Sequence, residues 1–168
     1  MRIKNLRNRL GQLSKLEIFF LISIITFLLW RSLHDFVLIG SKIDLWMILN
    51  CVNSSSSFLN FFNVQTNVYL NEISIVGKKG VFVDSGCNIL KIFGFYISFI
   101  FGYPSFFKKK IFYTIIGFCL LFIINIVRIA SFVLVTAYFP EIWDIFHKYS
   151  SFIFFYPIIF GLWALIIK

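Results

Sequence analysis

The sequence predicts an all-helical polytopic membrane protein with about four transmembrane helices, a small extracytoplasmic β-hairpin and an interfacial segment. The 168 residues are 60% hydrophobic and 14% charged, with a mean hydropathy of +0.89. Soluble domains are closer to half apolar and a quarter charged. The apolar residues form long runs, and basic residues lie at the ends of these runs. The length predicts a single integral membrane domain, residues 1–168, with no appended soluble module.

The four spans are predicted from apolar runs of roughly the length that a bilayer requires. A helix needs about 20 apolar residues to cross the hydrocarbon core. The first run, residues 18–30, is short and follows a basic segment, as in signal peptides and in cytoplasmic anchors. No small-residue cleavage site follows it, so we expect an uncleaved span. The spans are expected at residues 16–34, 88–107, 111–137 and 149–167, with an outer segment at 35–86.

The charge distribution predicts which side of the membrane each segment faces. Lys and Arg near span ends favour the cytoplasm. With both termini cytoplasmic, the basic N-terminal segment, the lysines at 108–110 and Lys168 lie inside, whereas six of the seven acidic residues lie outside. We therefore expect a multi-pass protein of the cytoplasmic (inner) membrane. The net charge of +9 is then a topology signal, and a nucleic-acid partner is not expected.

The outer segment divides into two parts. Residues 43–52 and 58–62 are apolar, but four serines interrupt them and each piece is too short to span. An interfacial or re-entrant piece is therefore expected. Residues 73–75 precede a GKKG turn and residues 82–83 follow it, which predicts two short strands in a hairpin. This hairpin leads directly into the second span, with Cys87 at the junction.

Polar side chains within or at the ends of the spans are functional candidates. Arg128 is an ionisable residue inside an apolar run, where such residues are costly. It follows Lys110 by 18 residues, which is roughly 27 Å along a helix, and Asn125 lies on the same helical face. The alternative is an arginine that snorkels to the outer headgroups. His147 precedes the fourth span and His34 ends the first, and each is alternatively a surface or capping histidine.

The cysteines favour thiol chemistry over a metal or redox centre. Cys51, Cys87 and Cys119 form no CxxC pair and lack the spacing of a zinc site, which disfavours a quinone-coupled disulfide oxidase. Cys119 lies in an apolar run and is expected to be a small buried hydrophobe. Cys51 and Cys87 can pair only if the fold brings them together. Cys87 precedes an apolar helix, whose N-terminus favours the thiolate, and the alternative is an inert thiol at the membrane edge.

The topology places Cys87, Arg128 and His147 near the outer face, although it was deduced without them. A nucleophile, a cation for a developing oxyanion and a general acid/base are what acyl transfer needs. No cofactor signature is present, and this chemistry needs no metal. The set is similar to the exosortase/archaeosortase family over residues 73–168. The matching residues are Cys87 in DSGCNIL, Asn125 and Arg128 in NIVRIA, and His147 in DIFHKYS.

The resemblance, which extends to the short exosortase F-type proteins of Bacteroidetes, implies a function and a role for each residue. It implies a cysteine transpeptidase acting on exported proteins whose C-terminal tail has a short motif, an apolar helix and a basic cluster. Cys87 then forms a thioester, Arg128 stabilises the oxyanion or positions the substrate, and His147 is the general acid/base. Asn125 is a supporting donor. The family often has Cys-x-Gly, whereas Ile89 stands at the glycine position here.

Two alternatives stay open at this point. One is a non-enzymatic scaffold or transporter subunit, in which Arg128 binds a lipid headgroup or a partner carboxylate. The other is an intramembrane protease that uses the same residues and releases its product by hydrolysis. No HExxH or GxSxG motif supports a metallo or serine version of such a protease.

Overall fold

The computed structural model describes residues 14–167, which form six α-helices, two short helical turns and three strands. Helix α1 is Lys15–Leu33 and continues into a π-helical turn, His34–Leu38. A 3-10 turn, Pro140–Ile142, precedes α5. The other helices are α2 Lys42–Phe61, α3 Leu90–Gly102, α4 Phe107–Tyr138, α5 Trp143–Phe154 and α6 Tyr156–Ile167.

The helices confirm a multi-pass membrane protein. Three helical stretches are long and apolar enough to cross a membrane: Lys15–Leu38, Phe107–Tyr138 and Pro140–Ile167. Where the second span was predicted, the structure has α3, an apolar helix of 13 residues that is not among these three; it is about 20 Å in length. It is shorter than expected because Pro104 follows closely, and a proline disfavours helical conformation in the residue before it.

Helix α3 packs closely along α1 because small residues lie on the face that meets α1. Gly94 and Gly102 are eight positions apart, on one helical face. A Cβ atom at Gly94 would overlap Trp30, and one at Gly102 would overlap Ser23. Trp30 Nε1 also donates to the Leu90 carbonyl at 2.9 Å. Close contact through small residues is a general way in which helices pack in membranes.

Helix α2 lies in the predicted interfacial segment and corrects the expected interruption at the four serines. It runs for 20 residues without a break at the four serines, and its buried face packs against α4. Ser55 is fully buried there and donates to the Ile126 carbonyl at 3.3 Å, while Ser57 donates to the Asn53 carbonyl at 3.0 Å. The serine run does not end the helix because backbone carbonyls accept from these hydroxyls.

A three-stranded antiparallel sheet connects α2 to α3. Its strands, in spatial order, are β1 Thr66–Tyr69, β2 Glu72–Ile75 and β3 Val81–Phe82. The predicted hairpin is confirmed as β2–β3, with Ile73 opposite Val81. Strand β1 was not predicted because its largely exposed TNVY sequence has a weak strand pattern. The turn after it has Leu70 at a φ of 53°, where glycine or asparagine is the usual signal.

The bundle has two chemically different ends. At one end Lys109 Nζ donates to the Ile166 carbonyl at 3.0 Å, and the Tyr103 hydroxyl donates to the Ile167 carbonyl at 3.4 Å. The lysines at 108–110 therefore lie where α4 begins and α6 ends. Cys87 precedes the first residue of α3, whereas Tyr103 follows its last residue, so Cys87 lies at the other end of α3 from Tyr103.

Candidate active site

A cavity of about 320 Å³ lies between α1, the start of α3, α4 and the α5–α6 segment. Its wall includes Gly86 and Asn88, the two neighbours of Cys87, but not Cys87 itself, together with Arg128 from α4. The π-helical turn after α1 adds His34, α3 adds Lys91, and aromatic side chains form much of the remaining wall. A concave, mainly apolar site with a few convergent polar groups is the usual form of a small ligand site.

The loop that carries Cys87, residues 83–89, is folded around the carboxylate of Asp84. One oxygen of this carboxylate, Oδ1, accepts from the backbone N–H of Gly86 at 2.8 Å and of Cys87 at 3.1 Å. The Cys87 N–H also points to the Asp84 carbonyl at 2.9 Å. Side-chain bonds to nearby backbone N–H groups are typical of aspartate in turns. Cys87 itself is 9% exposed.

Asp44 of α2 fixes the same loop from the other side, a role that the sequence pattern did not predict. Its side chain is 2% exposed. It accepts from the Ser85 hydroxyl at 2.5 Å, the Asn88 amide at 2.5 Å and the Gly40 N–H at 3.0 Å. A buried carboxylate requires such partners because removing its charge from water is costly. The available signal was a lone carboxylate in the apolar IDLWMIL run.

The Cys87 thiol is not the thiolate that its position before α3 led us to expect. Burial raises its pKa, and the opposing effect of the Arg128 guanidinium is smaller than that of burial. Cys87 lies three positions before Leu90, the first residue of α3, and the influence of a helix terminus is confined to its first turn. At neutral pH the resting form is therefore the thiol, so a base is needed to generate the nucleophile.

Arg128 is held inside the bundle. It is 4% exposed, and its Nε donates to Ser150 Oγ at 3.0 Å. Its guanidinium carbon lies 4.7 Å from the ring centre of Phe132 and 5.4 Å from that of Phe155, within cation–π range. These contacts disfavour an arginine that snorkels to headgroups. No carboxylate in residues 14–167 forms an ion pair with it, so its charge is available to an anion in the cavity.

His147 lies beside the hydrogen bond between Arg128 and Ser150 but outside the cavity wall. It is exposed in the first turns of α5, and its ring centre lies 5.3 Å from those of Trp143 and Phe132. Its carbonyl accepts from Ser150 Oγ at 2.9 Å, the same hydroxyl that accepts from the arginine. Ser151, one helical turn after His147, belongs to the cavity wall. The structure therefore places this histidine at the edge of the cavity.

Asn125 contacts Cys51 and not Cys87. It is fully buried, its Nδ2 donates to Cys51 Sγ at 3.4 Å, and its Oδ1 has no partner among the described residues. Cys51 and Cys87 are both free thiols. Desolvation by burial raises the pKa of Cys51 to about 11, against a smaller lowering by the Asn125 hydrogen bond. Asn125 thus supports the α2–α4 contact next to the site.

Cys119 corrects a further expectation, because it is exposed on the outside of α4. An apolar run in a membrane helix has faces that meet lipid as well as faces that meet protein. Cys119 lies on a face that meets lipid, so the apolar run alone predicted the wrong environment for it. Across residues 14–167, no three His, Cys, Asp or Glu side chains are grouped so that they hold a metal ion.

Comparison with protein families gives one match that spans most of the sequence. The model described as transmembrane exosortase matches residues 12–164. Comparisons with curated proteins and with solved structures give no match. The match is to the family as a whole, and the F-type subgroup stays a prediction.

Proposed function

Because the chain belongs to the transmembrane exosortase family, we propose that it is a membrane-embedded cysteine transpeptidase that cleaves C-terminal sorting signals of exported proteins. One observation carries this proposal: a single cavity has Arg128 and both neighbours of Cys87 in its wall. A nucleophile beside a buried cation is what acyl transfer requires. The proposed location is the cytoplasmic membrane, with both termini inside and this cavity at the outer face.

The proposed reaction has two halves. A base takes the proton of the Cys87 thiol as its sulfur attacks a backbone carbonyl near the substrate's membrane tail, and the Arg128 guanidinium stabilises the oxyanion. The C–N bond then breaks, His147 protonates the leaving amine, and a thioester remains on Cys87. In the second half an acceptor attacks the thioester and His147 takes the acceptor's proton. The C–S bond breaks, and the departing thiolate takes its proton back from the base. Arginine suits this role because it stays charged at any relevant pH and presents a planar set of donors.

The substrate proposed for this site is an exported protein with a C-terminal motif, an apolar helix and a basic tail. Such a helix is complementary to the bundle, whose outer surfaces expose large apolar side chains along α1 and α4. Lying beside these helices in the lipid, it presents its motif at the cavity end. Its basic tail then lies near the opposite end, where the lysines at 108–110 mark the proposed cytoplasmic side.

The test compares the C-termini of exported proteins, by intact mass, in cells that carry the wild-type chain or Cys87→Ala. Cys119→Ala is the matched control, because this cysteine is exposed on the far surface of α4. We expect at least one protein to lose its apolar tail with the wild type and with the control only. The mass of the new terminus distinguishes transfer to an acceptor from hydrolysis. Unchanged C-termini, with all variants present in the membrane, contradict the proposal and favour a non-enzymatic scaffold.

A further inference from the structure

A second histidine, His34, belongs to the wall of the cavity that contains Arg128. It is 3% exposed, whereas His147 is exposed and outside the wall. His34 begins the π-helical turn that ends the first membrane helix. Single π-helical turns are rare and are frequent at functional sites. The sequence alone gives little indication of a role for this histidine, because only the fold brings it to the loop that carries Cys87.

The hydrogen bonds of His34 leave one ring nitrogen available as a base. Its Nδ1 lies 2.8 Å from Asp35 Oδ1, and the other oxygen of Asp35 accepts from Arg31 Nε. A carboxylate partner places the ring hydrogen on Nδ1, so Nε2 holds the lone pair. Nε2 is buried and has no hydrogen-bond partner among the described residues. This is the carboxylate–imidazole pairing that orients a general base in acyl-transfer enzymes.

We propose that His34 is the general base that removes the proton from Cys87, with Asp35 as its positioning residue. The inference rests on the proposed transpeptidase function. In the first half the S–H bond breaks, a proton forms a bond to Nε2, and the sulfur electron pair attacks the substrate carbonyl. Asp35 stabilises the resulting imidazolium. In the second half the departing thiolate takes this proton back, so His34 and Cys87 return to their starting forms.

Two histidines then have separate tasks. His147 moves a proton between the leaving amine and the acceptor, while His34 moves a proton to and from the thiol. This division explains why a buried, protonated Cys87 is compatible with its role as nucleophile. The charged and titratable groups around His34 are Arg31 and Asp35 on its own helix, Lys91 from α3, Arg128 from α4 and Tyr156 from α6.

The experiment measures alkylation of Cys87 by iodoacetamide between pH 6 and pH 10, quantified on the Cys87 peptide by mass spectrometry. It uses the full-length protein in membranes and needs no substrate, so its outcome is independent of the proposed transpeptidation. The variants are His34→Gln, Asp35→Asn and, as the matched control, His147→Gln. Alkylation of Cys51, which is fully buried, reports on packing in the same samples.

We expect His34→Gln to slow alkylation of Cys87 at pH 7 by about ten-fold or more, because a positioned base contributes about 10²–10⁴-fold to proton transfer. The difference should vanish at alkaline pH, where hydroxide replaces the base. Asp35→Asn should lower the Cys87 alkylation rate by a smaller factor with the same pH dependence, and the rate in His147→Gln should match that of the wild type. Equal rates at pH 7 for His34→Gln and the wild type overturn the inference. A loss that persists at pH 10, or that Cys51 shares, also overturns it.

Discussion

Replacing Asp44 by asparagine should loosen the loop that carries Cys87. The carboxylate accepts three hydrogen bonds, two of them at Oδ2, from Ser85 and from the Gly40 N–H. An amide at this position keeps the acceptor for Asn88 and turns the other oxygen into a donor. The Ser85 hydroxyl reverses and accepts from that donor, but the Gly40 N–H has no oxygen left to bind.

The size of the effect follows from the charge that the two bonds to this loop lose. A hydrogen bond to a charged group contributes about 1.5–3 kcal/mol, and one between neutral groups about 0.5–1.5 kcal/mol. The bonds from Ser85 and Asn88 should each weaken by about 1 kcal/mol, so opening of the loop that carries Cys87 becomes easier by about 2 kcal/mol, or about 30-fold in its equilibrium constant. Cys87 is 9% exposed, and opening gives an alkylating reagent better access to its sulfur. The alkylation rate of Cys87 in Asp44→Asn should therefore rise by up to about 30-fold.

The assay is site-resolved alkylation of the full-length protein, with Asp144→Asn as the control because Asp144 is an exposed carboxylate of α5. Processing of the exported substrate should fall in Asp44→Asn and stay unchanged in the control. A Cys87 alkylation rate equal to that of the wild type would show that Asp44 does not hold this loop. A rise of equal size at Cys51 would do the same, because it would show general loosening.

Three other changes have defined outcomes. Gly94→Leu should lower the unfolding temperature in detergent by several degrees, since overpacking costs about 1–3 kcal/mol. Gly161 faces open space, so Gly161→Leu should leave that temperature nearly unchanged. Equal shifts in the two variants would contradict the close α1–α3 contact. Arg128→Lys should reduce processing of the exported substrate by about ten-fold or more at matched protein levels. The reason is that a hydrogen bond to a charged group contributes about 1.5–3 kcal/mol and that lysine lacks the planar set of donors of a guanidinium. Processing at the wild-type level in this variant would favour a simple charge effect. Burial raises the pKa of Cys51 from 9.0 to about 11, so its contribution to stability is present below pH 9 and is lost as pH rises through 11. This part of the alkaline loss of stability, about 3 kcal/mol, should disappear in Cys51→Ala and be retained in Cys119→Ala, and chemical unfolding across that pH range measures it. The part that comes from Cys87, whose pKa burial also raises, should remain in both variants.

The sequence was sufficient for the features that local pattern determines. Long apolar runs predicted the membrane helices, and a GKKG turn between apolar residues predicted the β2–β3 pairing. Arg128 was identified because an ionisable residue inside an apolar run is costly wherever the helix lies. The confirmed family was recognised from an ordered set of short motifs, none of which is specific alone.

The features that the sequence did not reveal depend on contacts between distant residues. Asp44 and Asn88 are 44 positions apart, and their bond exists only because α2 packs beside the Cys87 loop. His34 became a candidate because it lines a cavity that five segments of the chain form together. The rotation of α4 determined that Cys119 faces outwards. Whether Cys87 is a thiol or a thiolate depended on its burial, which a position next to a helix does not specify.

If Cys87 is the nucleophile, it carries the substrate as a thioester during processing, and that species can be isolated. Membranes that hold the full-length protein and an exported substrate are quenched in acid during processing. The peptide containing Cys87 is then analysed by mass spectrometry, with and without hydroxylamine, which cleaves thioesters. We predict a Cys87 peptide whose added mass is that of the C-terminal peptide of the trimmed substrate less one water, and hydroxylamine should remove this added mass. Efficient processing with an unmodified Cys87 at every quench time, or processing that persists in Cys87→Ala, would show that Cys87 is not the nucleophile.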